Sequence, residues 1–299
     1  MMKALVKSQS HVAWHSTPRR GILGPHDVEI QVVVAGICRT DLYAASGRIA
    51  TADPVILGHE FAGRIVNLGP EVSRFVVGDH VTASPLLGPV DAPQMVGVDL
   101  DGGFGEYVTL PEELLYKVPE DMCWRRAAYV EPVAASLAVL DAPIDPDEVG
   151  VILGTGRIGE LTLRILRAKG FQKVRVLTLQ EARALSTGTL DFVIETWASE
   201  ETFNEIFRLL RPGGVLVLKS RPEGPVALDV LTAVRKELRL IGAHYGPFPA
   251  AIELLAEGLA VEDLLGPSHD PASFAEVFSM LEGDESRKHF FAFHGHEGS

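Results

Sequence analysis

The chain has 299 residues, 46% of them apolar and 22% charged, with a formal net charge of -13 at pH 7; this is ordinary for a soluble globular protein and enough chain for two domains with separate cores. So acidic a balance argues against nucleic acid and anionic membrane as partners, since both need a basic face, and no apolar run approaches the roughly 20 residues that cross a bilayer. Two cysteines, Cys38 and Cys123, rule out a disulfide framework, and the opening MMKALVKSQSHVAW has no apolar signal-peptide core, so the expected compartment is the reducing cytoplasm.

From residue 1 to about residue 140, short β-like runs alternate with Gly, Pro and Asp. They fall at residues 3–6 (KALV), 28–35 (VEIQVVVA), 61–68 (FAGRIVNL) and 107–110 (YVTL). That spacing predicts a small, irregular β-barrel-like domain. Three short pieces inside it carry groups suited to chemistry: Gly36-Ile37-Cys38-Arg39-Thr40-Asp41 after a strand, Gly58-His59-Glu60 before one, and Val130-Glu131-Pro132 just ahead of the helix-like SLAVL. Together they offer a thiolate, an imidazole and one or two carboxylates, the ligand types of tetrahedral zinc. On the residues alone a second reading stays open, in which Cys38 is a buried small apolar group, His59 and Glu60 a surface pair, and Glu131 a helix N-terminal carboxylate. Cys123, far from this set in sequence, reads as a packed thiol.

The stretch at residues 149–170, VGVILGTGRIGELTLRILRAKG, reads as strand, glycine turn and helix. Its apolar residues recur at Ile158, Leu161, Ile165 and Leu166. Gly154, Gly156 and Gly159 fit the dinucleotide-binding turn: a tight bend, close approach of backbone N–H groups to a pyrophosphate, and close helix–strand packing, with the helix N-terminus facing the anion. Further apolar strands follow at residues 174–179, 191–195, 215–218 and 238–242. A helix over 200–210 places Phe203, Phe207 and Leu210 on one face and stops at Arg211-Pro212-Gly213-Gly214. The alternation predicts a parallel, doubly wound sheet.

Counting on from Gly159 to the end of the second strand reaches Thr178, where a NAD-selective site places an acid for the ribose 2′-hydroxyl. None is there, which tilts the expectation toward NADP with Arg183 as the nearest cation for a 2′-phosphate, although Glu181 is close enough to serve NAD. Only about eleven residues, 180–190, link two strands where a parallel crossover takes a dozen or more, so one crossover is shortened and the adenine side opens. Residues 238–245 (LRLIGAHY) predict an exposed sheet edge of the kind that is blunted or paired. From 266 to 293 a helix at 272–281 and a last strand return to the first domain, and His289, His294 and His296 are expected in a frayed tail.

The pieces GICRTD, GHEFAGRIVNLG, VGDHV, DGGFGEYVTLP, VEP and GTGRIG, in that order, resemble the medium-chain dehydrogenase/reductase superfamily, in its zinc-dependent alcohol, polyol and threonine dehydrogenase-like branch. The resemblance runs over essentially the whole chain. It implies an α/β fold: a GroES-like β-barrel catalytic domain at 1–141 and 267–299, and a Rossmann doubly wound domain at 142–266, with the active site in the cleft between them. It makes Cys38 and His59 catalytic zinc ligands, Glu60 a neighbouring carboxylate that ligates or exchanges with water, and Glu131 the carboxylate standing where other members have a second cysteine. It gives Asp41 the task of orienting the imidazole, Thr40 that of passing the substrate proton, and Arg39 a contact with the pyrophosphate. The cofactor set is then Arg39, Gly154, Thr155, Gly156, Arg157, Ile158, Gly159, Thr178 and Arg183.

Residues 84–101 hold no cysteine, so the second, structural zinc of the family is not expected. Tyr43 stands where many members have a relay histidine. The implied activity is hydride transfer between NAD(P) and a secondary alcohol, polyol or amino alcohol at one catalytic zinc, in a homodimer. The alternatives are a zinc-free quinone or enoyl-type reductase and a catalytically silent nucleotide-binding protein of the same fold.

Overall fold

The computed structural model describes residues 1–284 and 286–293. The chain forms two compact units, one of Met1–Glu131, Ile252–Glu257 and Val261–Ser299, the other of Pro132–Ala251 and Gly258–Ala260. No helix among the described residues is long and apolar enough to cross a membrane.

The first unit is built on a seven-stranded sheet. Its order is Leu115–Lys117, His80–Ala83, Glu60–Leu68, Asp27–Gly36, Lys288–Ala292, Leu265–His269, with Tyr107–Pro111 also pairing to Asp27–Gly36. Asp27–Gly36 is central and buried along nearly its whole length, which is why VEIQVVVA reads as a continuous apolar run and not as an alternating one. A three-stranded sheet sets Met2–Ser8 between His11–Thr17 and Val55–Ile56. The core they share contains Leu5, Ile30, Leu57, Phe61, Ile65, Phe104 and Phe291, with the Phe104 and Phe291 rings edge to face at 5.0 Å, a favoured aromatic geometry.

Two registers decide where chemistry can occur. Gly36 pairs with Glu60 on one side and with Phe290 on the other. The chain therefore leaves one strand through Ile37 and Cys38 beside the place where His59 and Glu60 enter the next. Lys288 begins the strand on the opposite flank.

The second unit is a five-stranded, all-parallel sheet in the order Val174–Leu177, Gly150–Leu153, Leu190–Glu195, Leu210–Leu218, Arg239–Gly242. The helix Arg157–Ala168 buries Leu161, Ile165 and Leu166. On the helix Glu200–Leu209, Phe203, Ile206, Phe207 and Leu209 do the same. Val174–Leu177 ends the sheet, so the outermost strand of the usual six-strand order 3-2-1-4-5-6 has no counterpart among the described residues.

Several expectations are corrected by local physics. The strand from residue 174 ends at Leu177, because Thr178 caps a five-residue helix, Leu179–Arg183, through a reciprocal capping box with Glu181. This helix occupies the shortened crossover. The helix from residue 200 stops at Leu209, and the Lys236 ammonium donates to the Phe207, Arg208 and Leu210 carbonyls at its end, where a cation suits the dipole. Glu131 and Pro132 lie inside the helix Val130–Leu137 and not before it; proline is tolerated in a first turn that needs no N–H. Leu265–His269 is a strand although Gly and Pro lie within it. His289 belongs to the buried strand Lys288–Ala292, not to a tail; His294 and His296 lie outside the described residues. Cys123 is half-buried, just before the short helix Trp124–Ala128.

Candidate metal and dinucleotide sites

Cys38 ends the turn after Asp27–Gly36 and is the N-cap of the helix Arg39–Ser46. Asp41, three positions into that helix, reaches back so that its Oδ2 accepts the Cys38 backbone N–H at 2.8 Å, the arrangement of a capping box. Its Oδ1 lies 3.2 Å from His59 Nδ1, and both side chains are buried. An imidazole that donates through Nδ1 to a carboxylate keeps Nε2 for a metal. One carboxylate thus fixes both the thiol-bearing turn and the imidazole. Burial works to lower the His59 pKa, but the charge and hydrogen bond of Asp41, with help from Cys38, outweigh it and leave it well above the usual value.

Glu60 follows directly, with Oε1 3.9 Å from His59 Nε2. Two glycines make this arrangement possible. A side chain at Gly36 would put its Cβ 2.7 Å from Glu60 Oε2; at Gly58, where φ is +95°, it would meet the Phe104 ring at 2.4 Å. The ligand atoms of Cys38, His59 and Glu60 all lie within 4.8 Å of one another. In a tetrahedral zinc site neighbouring ligand atoms are about 3.3–3.8 Å apart, so small side-chain movements bring all three onto one ion. Thiolate, imidazole and carboxylate together are a zinc donor set. Glu131, also buried, sits in the first turn of Val130–Leu137 and is not one of the three that converge.

A residue the sequence reading missed completes the surroundings. Lys288 is buried, and its Nζ lies 2.7 Å from Glu60 Oε1 and 2.5 Å from Oε2, while donating to the Ile37 carbonyl at 3.1 Å. Its only sequence signal is a lysine at the start of the apolar run HFFAF. Thr40 stands at the rim, its Oγ1 3.8 Å from Cys38 Sγ. Arg39 is exposed at the start of the same helix. Tyr43 lies one turn further along, its ring beneath the Arg48 guanidinium at 5.2 Å. Residues 84–101 form a small hairpin from Leu86–Leu87 and Gln94–Met95.

In the second unit Gly154 has φ +127°, and an added Cβ would lie 2.2 Å from Thr196 Oγ1; at Gly159 it would lie 2.1 Å from the Gly154 carbonyl oxygen. Both positions therefore demand glycine, one for conformation and one for close packing. Gly156 is the N-cap of Arg157–Ala168 and supplies no side-chain acceptor to its first turn. Thr155 and Gly156 are exposed, Arg157 and Ile158 half-buried. A cradle of this shape fits a pyrophosphate.

At the end of the next strand Thr178 donates its N–H and its hydroxyl to Glu181, each at 2.8 Å. These bonds hold the Glu181 carboxyl below its usual pKa. Arg183 is paired with Glu201.

The family model described as "Alcohol dehydrogenase GroES-like domain" matches residues 24–120, and "Zinc-binding dehydrogenase" matches residues 175–257. The chain is 30% identical to a protein of Rhizobium meliloti (strain 1021) provisionally named a D-xylulose reductase, over 86% of this chain and 88% of that protein. It is 28% identical to the D-xylulose reductase of Morganella morganii, over 93% and 97%. Its fold is that of a protein from Sinorhizobium meliloti 1021, provisionally named a zinc-binding dehydrogenase and solved with NADP bound: TM-score 0.89, 24% identity, covering 98% of this chain and 99% of that one.

Proposed function

Because the chain belongs to the zinc-binding alcohol and polyol dehydrogenases of the medium-chain dehydrogenase/reductase superfamily, we propose that it interconverts a secondary alcohol, most simply a polyol, and its ketone with a nicotinamide cofactor and one catalytic zinc. The observation that carries this reading is the convergence of Cys38, His59 and Glu60 within 4.8 Å, with Asp41 holding two of them. Cys38, His59 and one of Glu60 and Glu131 would hold the metal. Bound zinc supplies a Lewis acid for the substrate oxygen, and the nicotinamide accepts or gives the hydride.

The chain's own residues do the rest. Asp41 keeps the His59 proton on Nδ1. The Thr40 hydroxyl, at the rim of the cluster, takes the alcohol proton on Oγ1 as it gives its own to water; with Tyr43 in the relay position the proton has no imidazole to pass through. The backbone of residues 154–159 would hold the pyrophosphate. Thr178 in place of an acid favours NADP, with Arg183 turning from Glu201 to a 2′-phosphate. The exposed edge Arg239–Gly242 supports a homodimer, and two unpaired cysteines in an acidic chain support the cytoplasm.

The test is metal analysis of the purified protein together with a panel of polyols and ketoses assayed with NAD(H) and NADP(H). About one zinc per chain and reversible polyol oxidation are expected, and both should vanish in Cys38→Ser. Turnover that survives this substitution, or protein that takes up no zinc, overturns the reading.

A further inference from the structure

The parallel sheet changes its direction of winding beside Gly150–Leu153. Val174–Leu177 lies on one side of that strand, while Leu190–Glu195, Leu210–Leu218 and Arg239–Gly242 follow on the other. Connections that leave on opposite faces open a crevice beyond the carboxyl ends of the two central strands, where open parallel sheets take their ligands. One wall of this crevice is the glycine turn after Leu153. The other is the end of Leu190–Glu195.

Glu195 is in register with Leu153, and the next residue locks it there: the Thr196 hydroxyl donates to the Leu153 carbonyl at 3.0 Å. The residue is 1% exposed. One carboxylate oxygen accepts the Ser220 N–H at 3.4 Å, and the other has no hydrogen-bond partner among the described residues. Burial holds this carboxyl above its usual pKa against the opposing pull of Ser220 and Lys219. Lys219 comes from the adjoining strand, where Glu195 pairs with Leu218, and it too is buried. Among the five strand ends this is a costly pair of residues. An open acceptor out of water is unfavourable until something donates to it.

The chemistry of the pair selects the partner. A carboxylate repels phosphate, so the pyrophosphate belongs to the glycine turn alone. An acceptor at the end of one strand and an ammonium donor at the end of the adjoining one, close enough for its charge to act on the carboxyl, match a vicinal diol, each hydroxyl of which both gives and takes a hydrogen bond. We propose that Glu195 and Lys219 bind the ribose hydroxyls of the cofactor half that lies beyond the pyrophosphate, on the Leu190–Glu195 side of the crevice. The assignment rests on the reading of the chain as a nicotinamide-dependent enzyme.

A graded series of ligands, read by titration calorimetry without turnover, tests it: ADP, ADP-ribose and the reduced dinucleotide, each in plain and 2′-phosphorylated form. ADP lacks the second ribose, ADP-ribose adds it, and the dinucleotide adds the nicotinamide. Wild-type protein should bind ADP-ribose more tightly than ADP. Glu195→Gln and Lys219→Met should keep ADP affinity within about twofold, which also reports an intact fold, and lose about tenfold or more for ADP-ribose and the dinucleotide. Variants that bind ADP-ribose like wild type overturn the proposal; so does a loss already present with ADP, or one that appears only when the nicotinamide is added. A wild-type protein that binds no member of the series overturns the cofactor reading and this assignment with it, whereas normal wild-type binding with indifferent variants overturns the assignment alone.

Discussion

Glu60 stands between the ammonium of Lys288 and the place proposed here for a metal ion. Both carboxylate oxygens face Lys288, and both side chains are buried, so removing the ammonium takes away the cation that both oxygens contact in a low-dielectric interior. For Lys288→Met a loss of about 3–5 kcal/mol in the metal-free protein follows. A bound divalent ion replaces the missing counter-charge, so most of that loss should be recovered when zinc is added. Denaturant unfolding with chelator and with zinc measures both values, and equal destabilisation in the two would show that Lys288 acts only by packing.

Asp41→Asn probes the other side of the cluster. It keeps shape but removes charge from the hydrogen bonds to Cys38 and His59, and a fall of about 10–100-fold in zinc affinity is expected by chelator competition. Cys38, His59 and Glu60 stood out in the sequence as candidates, since each lies in a short run whose glycines and strand boundaries announce a turn, but that pattern left a structural reading open, and the role of Asp41 came only with the family resemblance. Lys288 did not stand out, because it is 228 positions from the residue it serves and its local context is that of an ordinary strand.

At the scale of elements, short-range hydrogen bonding decided where strands end. Thr178 and Glu181 satisfy one another and so halt a strand that apolar residues alone would carry to Leu179. Thr178→Ala should cost about 0.5–2 kcal/mol in thermal or denaturant unfolding, the usual worth of such a cap.

A second pinning contact joins the starts of three neighbouring strands of the parallel sheet: Asp191 accepts from the Val149 N–H at 2.7 Å and from Arg211 at 2.5 Å. Partial burial opposes its ionisation, but Arg211 and the Val149 N–H prevail and depress the pKa. Its stabilisation is therefore complete above the unfolded carboxylate value of about 4 and is lost as pH falls through the lower folded value. Comparing Asp191→Asn with wild type should show a deficit of about 1 kcal/mol at pH 7 that shrinks toward pH 3; a deficit constant with pH would refute the ion pair as its source. Leu265–His269 left no trace in the sequence, because Gly266 and Pro267 read as a turn. It becomes a strand only because Lys288–Ala292 offers it an edge, a tertiary cause that no window of neighbouring residues contains.

For the whole molecule the sequence was most informative about topology. Alternating apolar strands and amphipathic helices after Gly150 leave few arrangements besides a parallel, doubly wound sheet, and the eleven-residue link at 180–190 announced that one end would be trimmed. The opposite end, Arg239–Gly242, carries an open ladder with Leu240 exposed, and Val230, Leu231 and Val234 are exposed on the helix just before it. If two copies join along this edge, Ile241→Lys should shift the mass measured by light scattering toward that of a single chain of 32.3 kDa. An unchanged mass would place the contact elsewhere or nowhere.

The distance along the chain between Glu60 and Lys288 also has a meaning in time. A ribosome adding about 5–20 residues per second delivers the counter-charge roughly 10–45 s after the carboxylate it neutralises. If the turn and strand that carry Cys38, His59 and Glu60 come together in that interval, a divalent ion would meet the carboxylate before its ammonium does.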